Sequence, residues 1–194
     1  MFEYIINSIP YMLCFIPFYV IIRFTTFHLK KSKPKNWFHE IGLLLFVVYC
    51  FGVASQTCIP KIEFGNTTNF FISQNIFGEV NLIPGKVVID TYNEINTNNN
   101  FAYLIINTIG NICLFITIGF SISVLWKNIS AKRTVIIALL FSLCIELLQL
   151  PQARGTDIDD LWLNVFGALI GYLIYILLSK APSIQNFLHK FKVK

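Results

Sequence analysis

Residues 142–164 bring together the side chains of this chain that could do chemistry, in an otherwise leucine-rich setting. Glu146 and Gln149 lie in an apolar run, and Arg154 and Asp160 follow in the next short turn. A carboxylate such as Glu146 can do acid–base work or hold a hard cation. Arg154 offers a planar fork of donors that matches a carboxylate or phosphate. An ionisable group inside an apolar span costs ~2.5–3.5 kcal/mol on insertion scales, which favours an inward-facing position with a partner.

The elements that must position these residues are expected to be membrane-spanning helices. The chain has 194 residues, of which 55% are hydrophobic and only 13% are charged, whereas soluble domains average about 25% charged residues. In lipid, backbone groups must pair within their own segment, which favours helices of ~20 residues. Five apolar runs are long enough, at 4–27, 38–59, 101–126, 134–150 and 159–179. The sequence therefore predicts an all-α, multi-pass transmembrane bundle.

Basic residues predict the orientation of this bundle. Four lysines lie in the 28–36 connection, three basic residues in 127–133, and four lysines in the tail from residue 180. Five spans place these segments on one side of the membrane, and short loops rich in Lys and Arg stay in the cytoplasm. We therefore expect the N-terminus outside and the C-terminus inside. The net charge of +5 then reflects topology, and no motif supports nucleic-acid binding.

The outer side of the predicted bundle carries the main soluble segment, residues 60–100. Its “NLIPG” at 81–85 is typical of a turn, and its Asn-rich “NEINTNNN” at 93–100 is interpreted as a flexible connector. Loops of this length are uncommon in compact domains and are either functional or disordered. The sequence leaves open whether this segment is ordered.

Helical spacing brings polar side chains of three spans into the outer half of the bundle. Positions at i, i+4 and i+7 share one face of a helix. Such faces join Asn107 with Asn111 on the third span, Ser142 with Glu146 and Gln149 on the fourth, and Asp160 with Asn164, Gly167 and Gly171 on the fifth. We therefore expect a polar pocket in the outer leaflet. Its ligand-binding candidates are Asn107, Asn111, Glu146, Gln149, Arg154, Asp160 and Asn164.

Structural interpretations compete with this pocket. Polar residues in membrane bundles often only hold helices together, at roughly 0.6–2 kcal/mol per interaction, and the two asparagines of the third span fit that role. Asp157, Asp159 and Asp160 could form a solvated turn that caps the fifth helix, where acidic residues suit the helix dipole, and this role fits Asp157 and Asp159 best. Gly167 and Gly171 form a GxxxG pair, which predicts close helix packing.

Specific catalytic and metal-binding motifs are missing from the sequence. The histidines His28, His39 and His189 are all assigned to the cytoplasmic side, so neither a Ser–His–Asp triad nor an HExxH zinc motif can reach the outer pocket. The five cysteines have no CxxC spacing and are interpreted as small buried hydrophobic residues. The sequence predicts no metal and no cofactor, and it leaves the catalytic residues, if any, unknown.

Two segments resemble a known family. “NTIGNICLFITIGF” (107–120) and “SLCIELLQLPQARGTDIDDLWLNVFGALIGYL” (142–173) are similar to the VanZ-like membrane proteins, and “NLIPG” resembles the loop motif that precedes their next helix. The resemblance covers residues 81–178. It divides the chain into an N-terminal membrane region (1–80), a VanZ-like domain (81–178) and a basic cytoplasmic tail (179–194). The residues that match the family motif are Asn111, Glu146, Gln149, Arg154, Asp160, Asn164 and Gly167.

The resemblance implies an integral protein of the bacterial plasma membrane and cell envelope. The family's namesake is associated with low-level resistance to the lipoglycopeptide teicoplanin, and the motif carries no assigned chemistry. The leading hypothesis is therefore recognition of a membrane lipid, a lipid-linked precursor or a lipoglycopeptide in the outer pocket. One alternative is an intramembrane enzyme that modifies such a lipid through Glu146 or Asp160. Another is a structural or interaction protein whose polar residues only join helices. The oligomeric state is left open.

Overall fold

The computed structural model describes residues 2–29, 36–58, 80–150 and 156–192. Its elements in chain order are α1 (Phe2–Leu29), α2 (Trp37–Cys58), β1 (Val80–Asn81), α3 (Lys86–Asn98), α4 (Phe101–Tyr103), a π-helical turn (Leu104–Ile109), α5 (Gly110–Leu125), α6 (Ala131–Gln149), β2 (Thr156–Asp157), α7 (Ile158–Leu178) and α8 (Pro182–His189). The expected all-α class is confirmed. Among the described residues, extended structure is limited to the two short strands.

Three of the described helices are long and apolar enough to cross a membrane. They are Trp37–Ser55 within α2, Phe101–Leu125 through α4, the π-helical turn and α5, and Ile158–Leu178, which is α7. A shorter apolar stretch, Phe15–Thr26, lies within α1. α6 is also helical over 19 residues. The helical membrane protein expected from the sequence is thus confirmed, while the five-span count and the orientation stay predictions.

α5 and α7 run parallel and in very close contact. A Cβ built on Gly167 would overlap the carbonyl oxygen of Ile112, and one built on Gly171 would overlap that of Ile116, one helical turn further along both helices. Gly119 of α5 likewise lies against the backbone of Ala168. Glycines let two helix backbones approach this closely because no side chain stands between them. The pair forms the centre of the bundle.

α2 and α6 pack around this central pair. The Tyr49 hydroxyl donates to the Leu114 carbonyl at 2.8 Å, and the rings of Phe46 and Trp126 meet edge to face with centroids 5.7 Å apart. Ala138 and Ile145 of α6 join the buried apolar core. The contacts show that α2 runs antiparallel to α5, so the N-terminus of α2 and the C-terminus of α5 share one end of the bundle.

α1 packs against α2 in a helical hairpin. The Arg23 guanidinium donates two hydrogen bonds to the Glu40 carboxylate, each 2.7 Å long. This fork-to-carboxylate geometry gives orientation as well as attraction. The pair is partly exposed, so solvent screening keeps its contribution to stability to about 0–1 kcal/mol. The sequence analysis did not predict this pair.

The C-terminal tail docks onto the start of α2. The Asn36 amide donates to the carbonyls of Lys190 at 2.8 Å and Lys192 at 3.0 Å. His39 Nδ1 lies 2.8 Å from the Phe191 carbonyl oxygen, and because a carbonyl can only accept, that nitrogen carries the proton. Residues around 36 and 190 therefore lie at the same end of the bundle.

α3 corrects one expectation about the segment before the third span. Gly85 begins the helix with φ of +83°, a left-handed conformation that favours glycine. The helix continues to Asn98, and Asn99 ends it with φ of 49°. The interpretation of 93–100 as a flexible connector is therefore wrong for residues 93–98, because the α3 backbone pairs internally there. Residues 59–79 lie outside the described part of the chain.

Candidate functional site

Glu146 lies at the end of α6 and is buried, with 4% of its surface exposed. Its Oε2 accepts the backbone N–H of Asp157 at 3.1 Å. The Thr156 hydroxyl donates to the Glu146 carbonyl oxygen at 3.4 Å. The residue therefore joins the end of α6 to the strand that precedes α7. An ionisable group so close to apolar surroundings needs such a partner.

Asp157 caps α7 and also connects it to β1. Its Oδ1 accepts the backbone N–H of Asp159 at 2.9 Å, which satisfies one of the donors that a helix N-terminus leaves unpaired. The same oxygen accepts the Asn81 side-chain amide at 2.9 Å. The two short strands are parallel, with Val80 opposite Thr156 and Asn81 opposite Asp157. The capping role expected for Asp157 is confirmed.

Asp159 was expected in a solvated turn, and this expectation is wrong. Its side chain is fully buried. Oδ1 accepts the N–H of Gly85 and the indole Nε1–H of Trp162, both at 2.7 Å, and Oδ2 accepts the N–H of Val87 at 2.8 Å. The carboxylate thus binds the N-terminus of α3, where unpaired N–H groups and the helix dipole favour an anion. The sequence gives no distance between residues 85 and 159, so this role could not be seen from spacing.

Two further hydrogen-bonded pairs lie deeper in the bundle. The Asn111 amide donates to Asp160 Oδ1 at 2.6 Å and to the Asn107 carbonyl at 3.0 Å. The Asn164 amide donates to the Ser142 hydroxyl at 2.9 Å. The first pair joins α5 to α7 and the second joins α7 to α6. Asn107 lies in the π-helical turn, a local widening that often occurs at functional sites.

The structure brings most of the predicted site residues to one end of the bundle. Gln149 is buried near Glu146 at the end of α6, and Asn164 is buried with its Oδ1 unpaired among the described residues. Gly167 and Gly171 lie against α5. Arg154 lies outside the described residues, so its role stays a prediction. Asp159 and Asn81 are additions that the sequence analysis missed.

A half-open apolar cavity of about 150 Å³ lies next to the end of α6. Leucines from the loop before α3, from α6 and from α7 form most of its wall. The lining residues are Leu82, Leu143, Glu146, Leu147, Leu150, Thr156, Asp157, Ile158 and Leu161, and they expose only apolar atoms to it. The cavity therefore offers hydrocarbon contact, which suits the apolar part of a ligand.

Hydrogen-bond acceptors dominate the polar part of this site. The described residues contain no group of three or more His, Cys, Asp or Glu side chains placed to hold a metal ion. Glu146, Asp157 and Asp159 accept hydrogen bonds from backbone N–H groups. These bonds join α3, α6 and α7 at this end of the bundle.

The bundle consists of long apolar helices with carboxylates at one end, and the length and apolar character of three of these helices are those of a helical membrane protein. The chain belongs to the VanZ/LLP1 family, whose model matches residues 46–179. This match extends from the middle of α2 to the end of α7 and includes all candidate site residues. Neither a curated protein nor a solved structure matches the chain.

Proposed function

We propose that this VanZ-family protein binds an amphiphile in the outer leaflet of the bacterial plasma membrane. The ligand class is a membrane lipid, a lipid-linked cell-envelope precursor or a lipoglycopeptide of the teicoplanin type. The observation that carries the proposal is the leucine-lined cavity with Glu146 in its wall. An acyl chain fits the leucines, and the buried Glu146 carboxylate, which accepts the Asp157 N–H, holds the cavity wall in place.

The size of the cavity limits which part of the ligand it holds. An apolar cavity of about 150 Å³ accommodates a group the size of benzene. A segment of an acyl chain meets that limit, whereas the glycosylated peptide of a lipoglycopeptide exceeds it. The bulky head then stays at the rim of the cavity, near Leu150 and Thr156. The Arg154 guanidinium, with its fixed fork of donors, would suit an anionic group of that head.

A cavity-filling substitution on α6 tests this proposal. Leu147 lines the cavity and is 55% exposed, whereas Leu140, two turns away on the same face of α6, is 56% exposed and does not line it. Leu147→Trp and Leu140→Trp therefore add equal bulk at matched positions. We expect Leu147→Trp to reduce crosslinking of the reconstituted protein to a lipid with a photoreactive acyl chain several-fold, and Leu140→Trp to leave it unchanged.

The location of the crosslink provides the second readout. Peptides that contain residues 143–150 should carry the label in the wild type and lose it in Leu147→Trp. Equal labelling of both variants and the wild type would mean that the cavity does not hold the acyl chain, and the proposal would fail. Growth at graded concentrations of teicoplanin, at matched protein levels, then tests whether this ligand class affects resistance.

Helix joining is the better-supported role for the deeper polar pairs. The Asn111–Asp160 and Asn164–Ser142 hydrogen bonds each connect two helices, as interhelical polar contacts do in membrane bundles. Neither pair lines the cavity. The candidate residues therefore divide by depth: Glu146 belongs to the ligand site, and Asn111 and Asn164 hold the bundle that carries it. An enzymatic role for Glu146 or Asp160 has no comparable supporting contact.

A further inference from the structure

α3 has three distinct faces. Val87 and Thr91 are buried against the bundle, and the consecutive apolar residues Val88 and Ile89 are exposed by 60% and 59%, with Tyr92 at 68%. Asp90 and Thr97 occupy the remaining side, and the polar Asn96 lies next to Tyr92 at the C-terminal end of the apolar side. At about 100° per residue, the centre of the apolar set lies roughly 130–140° from the centres of the other two sets. We call the exposed set Val88, Ile89 and Tyr92 the α3 apolar surface.

The orientation of α3 is fixed by the bundle. Asp159 of α7 accepts the backbone N–H groups of Gly85 and Val87 at 2.7 and 2.8 Å. The Asp159 side chain is fully buried, so these bonds are shielded from water. α3 is therefore not free to rotate and cover its apolar surface against the protein.

We propose that α3 lies in the membrane–water interface at the acidic end of the bundle, with the α3 apolar surface inserted into lipid. The polar side then faces water, and the buried side faces the protein, which accounts for all three faces. The chain supports this position because α3 ends at Asn98 and the apolar membrane-crossing helix begins at Phe101. Tyr92 has the amphipathic ring typical of the interfacial layer.

Exposed apolar residues also occupy the loop before α3, which reaches α6. Leu82 and Ile83 in this loop are 69% and 64% exposed. Leu82 lines the cavity together with Leu143 and Leu147, and both of these α6 residues are exposed on the outside of the bundle. Large exposed apolar patches mark contacts with protein or membrane. The contact of the loop with the exposed apolar side of α6, in a bundle of apolar helices, favours lipid.

The charges of α3 indicate that apolar insertion, not headgroup attraction, holds it in place. Its charged residues are Lys86, Asp90 and Glu94, so the helix has more acidic than basic groups. A helix attracted to anionic lipid carries a Lys- and Arg-rich polar face. We therefore expect the position of α3 to be independent of salt and of the fraction of anionic lipid.

Fluorescent labels on the two exposed sides of α3 test this position in the full chain. Single cysteines at Val88→Cys and Tyr92→Cys, with Asp90→Cys and Thr97→Cys as controls on the other side of the helix, are labelled with an environment-sensitive dye in a cysteine-free background. The variants are reconstituted in vesicles whose lipids carry bromine near the glycerol or near the chain end. Interfacial helices insert about 5–10 Å, so we expect quenching at 88 and 92, stronger with shallow bromine, and little quenching at 90 and 97.

Other outcomes overturn the proposal. Equal quenching at all four positions, or strong quenching of 88 and 92 by aqueous iodide, would place the α3 apolar surface in water. A blue-shifted dye at 88 and 92 without lipid quenching would mean that a second copy of the chain covers the surface. The unmodified protein gives an independent measurement: a lipid with a shallow photoreactive group should label the peptide 86–98 in the wild type. Absence of that label would also contradict the proposal.

Discussion

The two ends of the bundle carry opposite charge and use it in different ways. At one end lie Asp90, Glu94, Glu146, Asp157, Asp159 and Asp160; at the other lie Lys127, Lys132, Arg133, Lys180, Lys190 and Lys192. Lys86 at the first end and Glu40 at the second are exceptions. Acidic side chains such as Glu146 and Asp159 are buried, whereas the basic side chains lie at the surface, exposed or partly exposed. The acidic residues therefore shape the structure, and the basic residues lie where they can set membrane orientation.

The side-chain hydrogen bonds at the two ends also differ. At the acidic end, carboxylates accept backbone N–H groups from segments far away in sequence, as Asp159 does from Gly85 and Val87. At the basic end, neutral and basic side chains donate to carbonyl or hydroxyl oxygens, as Asn36 does to Lys190 and Lys192 does to Tyr175, and Arg23 pairs with Glu40. Loss of a buried carboxylate leaves several donors unpaired, while loss of a surface amide leaves groups that water can satisfy. The predictions below test this contrast.

The largest expected effect is all-or-none labelling from outside the cell. In a cysteine-free background, Asn93→Cys at the acidic end should react with an impermeant maleimide, and neither Lys190→Cys nor Lys35→Cys should react until the membrane is permeabilised. The reason is that Lys- and Arg-rich segments stay in the cytoplasm. Labelling of 190 or 35 with protection of 93 would invert the assignment of the two ends.

The next largest effect should come from the α5–α7 contact that connects the two ends. A side chain at Gly171 would meet the Ile116 carbonyl and, at 2.7 Å, the Phe120 nitrogen, so Gly171→Leu must force the two backbones apart. We expect severe loss of folded protein, as measured by the monodisperse fraction after detergent extraction. Phe166→Leu is the control, because Phe166 is 51% exposed on the same helix. Equal yields of the two variants would argue against tight packing here.

The variants Asp159→Asn and Asp90→Asn compare the contribution of a buried carboxylate to stability with that of a more exposed one. The amide would keep one acceptor but place its NH₂ opposite a backbone N–H of Gly85 or Val87. Leaving buried, charge-assisted bonds unmade costs about 2–3 kcal/mol. We expect a lower unfolding temperature and faster hydrogen exchange at 85–98, whereas Asp90→Asn should change stability by less than about 0.5 kcal/mol. Slow exchange at 85–98 in Asp159→Asn would show that other contacts hold α3.

How much of this could be predicted from the sequence depends on the range of the interaction. Helix identity and the shared faces of Glu146 with Gln149, or Asp160 with Asn164, follow from a period of 3.6 residues. The Asp159–Gly85 contact and the Arg23–Glu40 pair join different elements, and no periodicity encodes them. Asp159 was misread because an acidic residue in a first helical turn usually caps in solvent. The cavity likewise depends on how α6, α7 and the loop before α3 meet.

The charge of Glu146 can be tested with little change in shape. Glu146→Gln keeps an oxygen that accepts the Asp157 N–H, so we expect a stability change of only about 1 kcal/mol. Function should fall if a ligand needs the negative charge. Arg154→Lys keeps the positive charge but loses the planar fork, so it should impair function as well. Sensitivity to envelope-active lipopeptides, at matched protein levels, measures both, and wild-type behaviour of both variants would leave helix joining as the better account.

The smallest effect is expected at the basic end, where the tail docks on α2. The Asn36 amide bonds to Lys190 and Lys192 are exposed or partly exposed, so Asn36→Ala should cost only about 0.5–1 kcal/mol of folding free energy, because water can replace the lost donor.

His39, also in this contact, is buried, with 8% of its surface exposed, and its Nδ1 donates a hydrogen bond to the Phe191 carbonyl. His39→Leu should therefore release the tail more strongly than Asn36→Ala. Limited proteolysis in vesicles opened to the protease measures tail release as cleavage after Lys190. A larger effect from Asn36→Ala than from Asp159→Asn would reverse the contrast between the two ends, because a surface amide would then stabilise the fold more than a buried carboxylate.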